Sequence, residues 1–282
     1  MSLRIIWRKT VNVIMLSLTG LCALVTVSAL FLILGCLAWK GATSLHWSFF
    51  TNLPAPVGET GGGIANAIVG TGKLLMLAAL IGIPVGLLGA VYLAEFAGAT
   101  SAFFVRYATD LLNGVPSIVI GIFAYTVVVI PMHHFSALAG GFALGVMMVP
   151  VILRSCEEFL RNVPRSLREG AMAVGASKWK TIATVVIPAA SSGILTAILL
   201  SLARVAGETA PLVFTAFGNQ FWPHGLNQPT AALPVVIYNY ALSPYDDWHR
   251  QAWAAGLVLI LLVVVTNLLT RLLLQRQAMA RR

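Results

Sequence analysis

Apolar positions along this chain form long unbroken runs instead of the short alternating patterns of a soluble fold. Five runs contain no charged residue, and they cover residues 11–39, 74–94, 111–132, 135–153 and 251–270. A helix of about 20 apolar residues crosses the hydrocarbon core of a bilayer. A sixth run, 193–217, is of comparable length but contains two charged residues. The pattern predicts an all-α membrane protein with six transmembrane helices.

The two charges in the sixth run are Arg204 and Glu208, four positions apart. A charge at the bilayer centre costs about 2.5–3.5 kcal/mol, so neither side chain is expected to face lipid. In one continuous helix they would share a face with Ser201 and Thr215 and neutralise each other. Such a polar stripe is typical of a helix that lines a substrate pathway. A structural ion pair that holds the helix bundle together is the alternative.

A second polar stripe runs into the third apolar run. It contains Asp110, Asn113, Ser117 and Gly121, and Pro116 interrupts it. One interpretation places Asp110 and Asn113 in the substrate pathway. Hydrogen bonding and close packing between neighbouring helices explain the same residues equally well.

The composition agrees with a membrane protein, because 59% of the residues are hydrophobic, 10% are charged and the mean hydropathy is +0.89. A net charge of +9 raises the question of nucleic-acid binding. The basic residues, however, alternate with the predicted loops, and fourteen of the 18 lie on the side that holds both termini. The positive-inside rule places that side in the cytoplasm and leaves nucleic-acid binding without support.

The first apolar run follows basic residues and therefore resembles a secretory signal. The run 11–39 is much longer than the apolar core of about 7–15 residues in a signal peptide. We expect it to remain as an uncleaved membrane anchor.

The longest predicted cytoplasmic loop, 154–192, contains the segment SLREGAMAVGASKWKTIATVVIPAA. Gly175 is suited to end one helix, and Ser177 is suited to cap the next. Pro188 marks the beginning of the following membrane helix. We expect two short helices that meet at Gly175.

This segment resembles the EAA loop of ABC importer permeases, whose pattern is Glu-Ala-Ala, three residues, Gly, nine residues and Ile-x-Leu-Pro. Glu169, Gly170 and Ala171 match it with one substitution, and Gly175 and Pro188 stand in register. The resemblance implies a coupling helix that sits in a groove of a separate ATP-hydrolysing subunit. ATP and Mg would then bind to that partner, with no cofactor on this chain. An ordinary amphipathic loop is the alternative.

The stretches NGVPSIVIGIFAY, RVAGETAPL and NQFW, together with the EAA loop, resemble the PstA-type permease family of bacterial phosphate ABC importers from about residue 61 onward. The resemblance implies a type I importer permease arrangement in the bacterial inner membrane. Residues 61–282 would form the permease core, and 1–60 an N-terminal helix and outer loop. The implied partners are membrane lipid, a PstC-type second permease, a dimer of PstB-type ATPases and an external phosphate-binding protein. Arg204, with Glu208 and Thr209 of the same motif, would belong to the substrate pathway.

Other functions remain open on the sequence. They are a permease for another oxyanion such as sulfate, molybdate or tungstate, a stand-alone anion channel or secondary carrier, and an assembly scaffold. The spacing of the EAA pattern argues against both the stand-alone channel and the secondary carrier. No catalytic residue is predicted. No metal site is predicted either, since His133 and His134 are adjacent and would point apart.

The outer loop 218–250 contains one further candidate element. Residues 233–241 predict either a short amphipathic segment at the membrane surface or part of a packed loop. The other outer loop, 41–67, is rich in turn residues, and its sequence indicates no specific role.

Overall fold

The computed structural model describes residues 3–56, 59, 61–222 and 224–280. Over this part of the chain the fold is helical, and the only β-type pairing is an isolated bridge between Pro54 and Gly62. The helices are Leu3–Ala42 (α1), Trp47–Thr51 (α2), Ala65–Glu95 (α3), Ala99–Gly114 (α4), Ser117–Met132 (α5), Ala137–Arg161 (α6), Arg165–Ala173 (α7), Lys178–Ala189 (α8), Ser191–Ala206 (α9), Ala210–Thr215 (α10), Leu233–Ala241 (α11) and Asp246–Ala280 (α12).

The six predicted membrane segments are four unbroken helices and two broken ones. Helices α1, α3, α6 and α12 are each long and apolar enough to cross a bilayer. The pair α4 and α5 is bent by 101°, and the pair α8 and α9 by 70°. The predicted number of spans is confirmed when each bent pair is taken as one span. The 101° bend lies inside the third run, whereas the 70° bend precedes the sixth run, which is interrupted instead between α9 and α10. The continuous helix that would place Arg204 and Glu208 on one face is therefore not formed.

The core of the protein is the contact between α3 and α6, which is the most extensive helix interface in the described chain. Glycines allow the two backbones to approach closely. A Cβ atom on Gly82 would lie 2.6 Å from Met148 Cβ, and one on Gly86 would lie 2.8 Å from Ile152 Cβ. Small residues four positions apart are a common device for packing helices where lipid supplies no hydrophobic driving force.

Helix α1, in contrast to α3 and α6, is hardly buried. Its apolar side chains are exposed along almost its whole described length. It packs on α12 near its C-terminal end, where Lys40 Nζ lies 5.0 Å from the centre of the Trp253 ring. A helix that is apolar on all sides and unburied by its own chain is suited to lipid or to another membrane subunit.

The outer segment 233–241 is a helix with the predicted bounds, α11, and it packs on α12 and α3. Thr71 Oγ1 accepts a hydrogen bond of 2.8 Å from Leu233 N, and the rings of Tyr240 and Trp248 stack 4.5 Å apart. Leu233 and Val235 are buried. The structure therefore agrees with the packed alternative for this loop.

Candidate functional site

The sixth apolar run is interrupted in its middle, between α9 and α10. Helix α9 ends at Ala206, where Gly207 N donates to Arg204 O at 3.3 Å and Glu208 N donates to Val205 O at 3.2 Å. Helix α10 begins at Ala210, with Pro211 in its first turn. Pro has no N–H to donate to a preceding turn, and Gly weakens a helix, so this sequence favours a break. Irregular backbone at membrane depth is tolerated only inside protein or beside a water-filled cavity.

Arg204 and Glu208 lie on either side of the end of α9, not on one continuous helix. Arg204 is exposed and Glu208 is half-buried. Among the described residues, no ion pair or hydrogen bond joins the two side chains. The prediction that they neutralise each other on one helical face is wrong, because the helix ends between them. Thr209 is half-buried in the same break.

Ser201 and Thr215 do not share the exposure of Arg204. Both are fully buried. Ser201 Oγ lies 3.5 Å from the carbonyl of Met148 on α6, and Thr215 Oγ1 donates to the carbonyl of Pro211 at 2.7 Å. These hydroxyls are satisfied inside the chain, so the predicted stripe is not one exposed face.

The break between α4 and α5 divides the second polar stripe. Asp110 and Asn113 lie on α4, whereas Ser117 and Gly121 lie on α5 beyond the 101° bend. The interrupted third and sixth runs meet, because α5 packs on α10 and a Cβ atom on Gly121 would lie 2.7 Å from Pro211 Cα. The second half of each broken run is therefore in contact with the other.

Asp110 is engaged in a charged cluster at the end of α6, which we call the Glu157 network. Its members are Arg106, Asp110, Arg154, Glu157 and Arg161. Arg106 Nε donates to Glu157 Oε1 at 2.9 Å, and Arg154 Nε lies 3.0 Å from Asp110 Oδ1. Arg161 Nε and Arg154 Nη1 lie 3.2 and 3.3 Å from the two oxygens of Glu157, whose side chain is only 4% exposed.

Sequence reasoning missed this network. Arg154 and Arg161 stand three positions before and four positions after Glu157, a spacing that brings charges together on a helix. That signal was available in the sequence. Arg106 was not predictable, because it lies 51 positions from Glu157 and meets it only through the fold. Asn113 is half-buried near the bend.

The loop that carries the EAA pattern has the predicted form of two short helices, α7 and α8. Gly175 lies between them with φ of +88°, a conformation that favours glycine. Ser177 Oγ accepts a hydrogen bond from Lys180 N at 3.4 Å and so caps α8. Pro188 lies inside α8, after a wider turn over Ile182–Val186, and the membrane helix α9 begins at Ser191.

The tip of this loop is exposed and partly apolar. Val174 is 85% exposed, and Leu167 and Met172 on α7 are also exposed. Glu169 and Gly170 are also exposed, while Ala171 is half-buried. The structure thus places Glu169, Gly170 and Ala171 on α7 and Gly175 in the turn after it, while Pro188 lies apart on α8.

The chain is similar to one family of membrane transport components and to several permease proteins. The family described as binding-protein-dependent transport system inner membrane component matches residues 82–279. The phosphate transport system permease protein PstA of Yersinia pestis is 44% identical over 273 residues, which cover 96% of this chain and 92% of the relative. The protein of the same name from Haemophilus influenzae is 43% identical over 279 residues, with 98% of each chain covered.

Solved structures show the same fold. A chain of a bacterial alginate ABC transporter, in complex with an alginate pentasaccharide-bound periplasmic protein, matches with a TM-score of 0.62 and 15% identity over 96% of this chain and 97% of its own. A chain of the inward-facing MetNI methionine ABC transporter matches with a TM-score of 0.59 and 20% identity over 76% of this chain and 93% of its own.

The helix bundle, its broken membrane segments and its exposed loop define a multi-pass permease subunit of the ABC importer class. Within that class, the chain belongs to the PstA family of permease proteins. The predicted fold class and family are confirmed.

Proposed function

We propose that this chain is the transmembrane permease subunit of an ATP-driven importer that moves inorganic phosphate from the periplasm or cell exterior into the cytoplasm. The observation that carries the proposal is the 44% identity to a phosphate permease over 96% of the chain. Arg204, which has no ion-pair partner among the described residues, lies beside the break after α9 and supplies a chemistry that suits this substrate.

Arginine is suited to an anion that has lost part of its water. Its planar guanidinium keeps its charge and can donate two parallel hydrogen bonds to two phosphate oxygens. Within the described residues Arg204 makes no side-chain hydrogen bond or ion pair, so its donors are available to a substrate.

Glu208 offers a means of selecting phosphate over sulfate. At neutral pH phosphate keeps a proton, and a carboxylate can accept a hydrogen bond from it. Sulfate has no proton to donate and would meet only repulsion. Glu208 is half-buried two residues after the end of α9, within the same break as Thr209.

The loop between α7 and α8 supports coupling to a separate ATPase. The loop exposes Val174 and Leu167, and the described part of the chain buries neither of them. A short helix with an apolar tip is suited to dock in a groove on another protein. The proposed assembly has this chain beside a PstC-type permease, on a dimer of PstB-type ATPases that bind ATP and Mg, and with an external phosphate-binding protein.

The proposed location is the bacterial inner membrane, with both termini and the loop 154–192 in the cytoplasm. The bias of basic residues supports this orientation. In intact cells, a membrane-impermeant thiol reagent should label a cysteine placed at Gly225 and should not label one placed at Ser177. The reverse labelling pattern would contradict the orientation.

Reconstitution tests the function directly. The permease is placed in vesicles with its second permease, its ATPase and its binding protein, and uptake of radiolabelled phosphate is measured with and without ATP. We expect ATP-dependent phosphate uptake that an excess of sulfate does not reduce. Uptake of sulfate or molybdate in place of phosphate would reject the proposed substrate, and uptake without ATP would reject the importer.

A further inference from the structure

The end of α3 receives contacts from both short helices of the EAA loop. On α7, Arg168 donates from Nε and Nη2 to Glu95 Oε1 at 3.0 and 2.8 Å. On α8, Lys178 Nζ donates to the backbone oxygen of Glu95 at 2.6 Å and lies 4.3 Å from the centre of the Phe96 ring. The ring of Trp179 lies 4.8 Å from the same phenyl ring. The loop is thus attached to α3 at two points.

Arg168 also holds the end of α6. Its Nη2 donates to the carbonyl of Leu160 at 2.7 Å, and its Nη1 donates to the carbonyl of Val163. Carbonyls at a helix end have no partner inside the helix and need one from elsewhere. One guanidinium therefore joins α7 to the ends of both α3 and α6.

The contact between Arg168 and Glu95 is shielded from water. Their side chains are 16% and 9% exposed, which is far less than in an ordinary surface ion pair. Arg165 and Lys180, by contrast, are exposed on the same loop. Arg168 is engaged inside its own chain, so the charge it carries is not available for docking a partner.

The helices that Arg168 connects form the most extensive interface of the fold. Tightly packed helices move as a unit because their contacts do not deform continuously. A displacement of α7 by a partner would therefore be passed to the α3–α6 pair as long as Arg168 and Glu95 remain in contact.

We propose that Arg168 and Glu95 form the joint through which movement of the EAA loop reaches the membrane helices. They are positioning residues, since neither touches the substrate break or a nucleotide. The proposal rests on the proposed function of an ATP-driven permease and adds to it the residues that transmit the work of the ATPase.

The test compares transport with ATP hydrolysis in the reconstituted complex. Arg168→Gln and Glu95→Gln should each leave the ATPase bound and active but lower phosphate uptake per ATP hydrolysed by at least about fivefold. The double variant should be no worse than either single variant, because both remove the same contact. Arg168→Lys should retain part of the phosphate uptake per ATP hydrolysed. Lysine keeps the positive charge but cannot donate the two parallel hydrogen bonds of a guanidinium.

A control breaks an ion pair of similar length but greater exposure elsewhere, whose side chains are 63% and 25% exposed. Arg250 Nη2 lies 3.0 Å from Asp247 Oδ1 in an ion pair remote in sequence from the EAA loop, and Arg250→Gln should leave the ratio unchanged. An unchanged ratio in the Arg168 and Glu95 variants would reject the joint. Losses that multiply in the double variant would also reject it, and release of the ATPase would make Arg168 a docking residue instead.

A second measurement separates this proposal from the proposed substrate. If the wild-type complex hydrolyses ATP without importing phosphate, the proposed function fails and the joint is judged by proteolysis of the full-length permease in detergent. Glu95→Gln leaves every tryptic site in place, and it should make cleavage after Arg165 faster than in the wild type and in Arg250→Gln. Equal cleavage rates would reject the joint.

Discussion

In the Glu157 network charged side chains pair with one another, whereas those at the break between α9 and α10 have no ion-pair partner in the described part of the chain. Glu157 is 4% exposed and lies within 3.3 Å of three arginines. Arg204 is exposed and Glu208 is half-buried, and no ion pair within the described chain includes either. Both regions belong to helices of a membrane bundle, but only one satisfies its charges internally.

This difference distinguishes charges that stabilise the fold from charges that remain available to a ligand outside the chain. A buried ion pair that loses one partner leaves an uncompensated charge, so the Glu157 network should respond to mutation through stability. An unpaired charge within a membrane segment is expensive to keep and usually marks a substrate or ion pathway. The break should respond to mutation through transport.

The largest expected effect is on transport, at Arg204. In the assembled complex, Arg204→Gln should lower phosphate uptake by at least about 100-fold, because Gln cannot supply a fixed charge to a dehydrated anion. Arg204→Lys should recover part of the uptake without the bidentate fork. Uptake of radiolabelled phosphate in reconstituted vesicles measures both.

The double variant Arg204→Gln with Glu208→Gln tests whether Arg204 contacts the substrate or serves only in a structural ion pair. If the arginine contacts substrate, uptake stays lost when both charges are removed. If the two residues serve only as an ion pair, removing both should restore transport, because neither charge is left without a partner. Near-normal uptake by the assembled double variant would therefore contradict the pathway role of Arg204.

The next effect is on stability, at Glu157. Glu157→Gln should destabilise the folded protein by about 3 kcal/mol, the lower end of the range for a broken buried pair, because its arginine partners are 28–52% exposed to water. Glu158→Gln is the matched control, since Glu158 is adjacent and exposed, and its effect should stay within about 0.5 kcal/mol. Thermal unfolding of the detergent-solubilised complex compares them, and equal midpoints would show that burial does not distinguish the two carboxylates.

The sequence predicted the number of membrane segments because their length and apolar character are properties of the chain itself. It did not predict the 101° bend in the third run or the end of α9 inside the sixth run, although Pro116, Gly207 and Pro211 were visible. A proline or glycine permits a bend, but its size, 101° between α4 and α5, depends on which helices pack there. The contact of α5 with α10 supplies that packing.

The two parts of the candidate site also differed in how far their structure could be predicted from the sequence. The EAA loop was predictable because Gly175 and Ser177 determine their local structure through the backbone and a short-range hydrogen bond. The contact of Arg168 with Glu95 was not, because the two residues are 73 positions apart. At the α9 break the charges were visible in the sequence, while the end of the helix between them was not.

A smaller effect is expected at Gly175, where only the backbone conformation is at issue. A Cβ atom would meet nothing within 4 Å at either Gly175 or Gly170, but Gly175 has φ of +88°. Gly175→Ala should strain the turn by about 1 kcal/mol and weaken ATPase binding by about fivefold. Gly170→Ala should leave binding unchanged or stronger, because Ala favours a helix. Titration of the ATPase onto the permease measures both, and equal losses would contradict the backbone argument.

The smallest effect is expected at Asp110. The sequence left open whether this residue lines the substrate pathway or only packs between helices. Its ion pair with Arg154 joins side chains that are 55% and 39% exposed, so Asp110→Asn should cost at most about 1 kcal/mol. Arg154 would keep Glu157 as a partner at 3.3 Å, so no arginine is left alone. If Asp110 belongs only to the Glu157 network, phosphate uptake by the variant should remain within about twofold of the wild type, since a surface pair changes stability and not the transition state of transport. The uptake rate and the thermal midpoint are measured on the same preparation. A loss of uptake comparable with that of Arg204→Gln, at an unchanged midpoint, would place Asp110 in the substrate pathway and remove the contrast between the two charged regions.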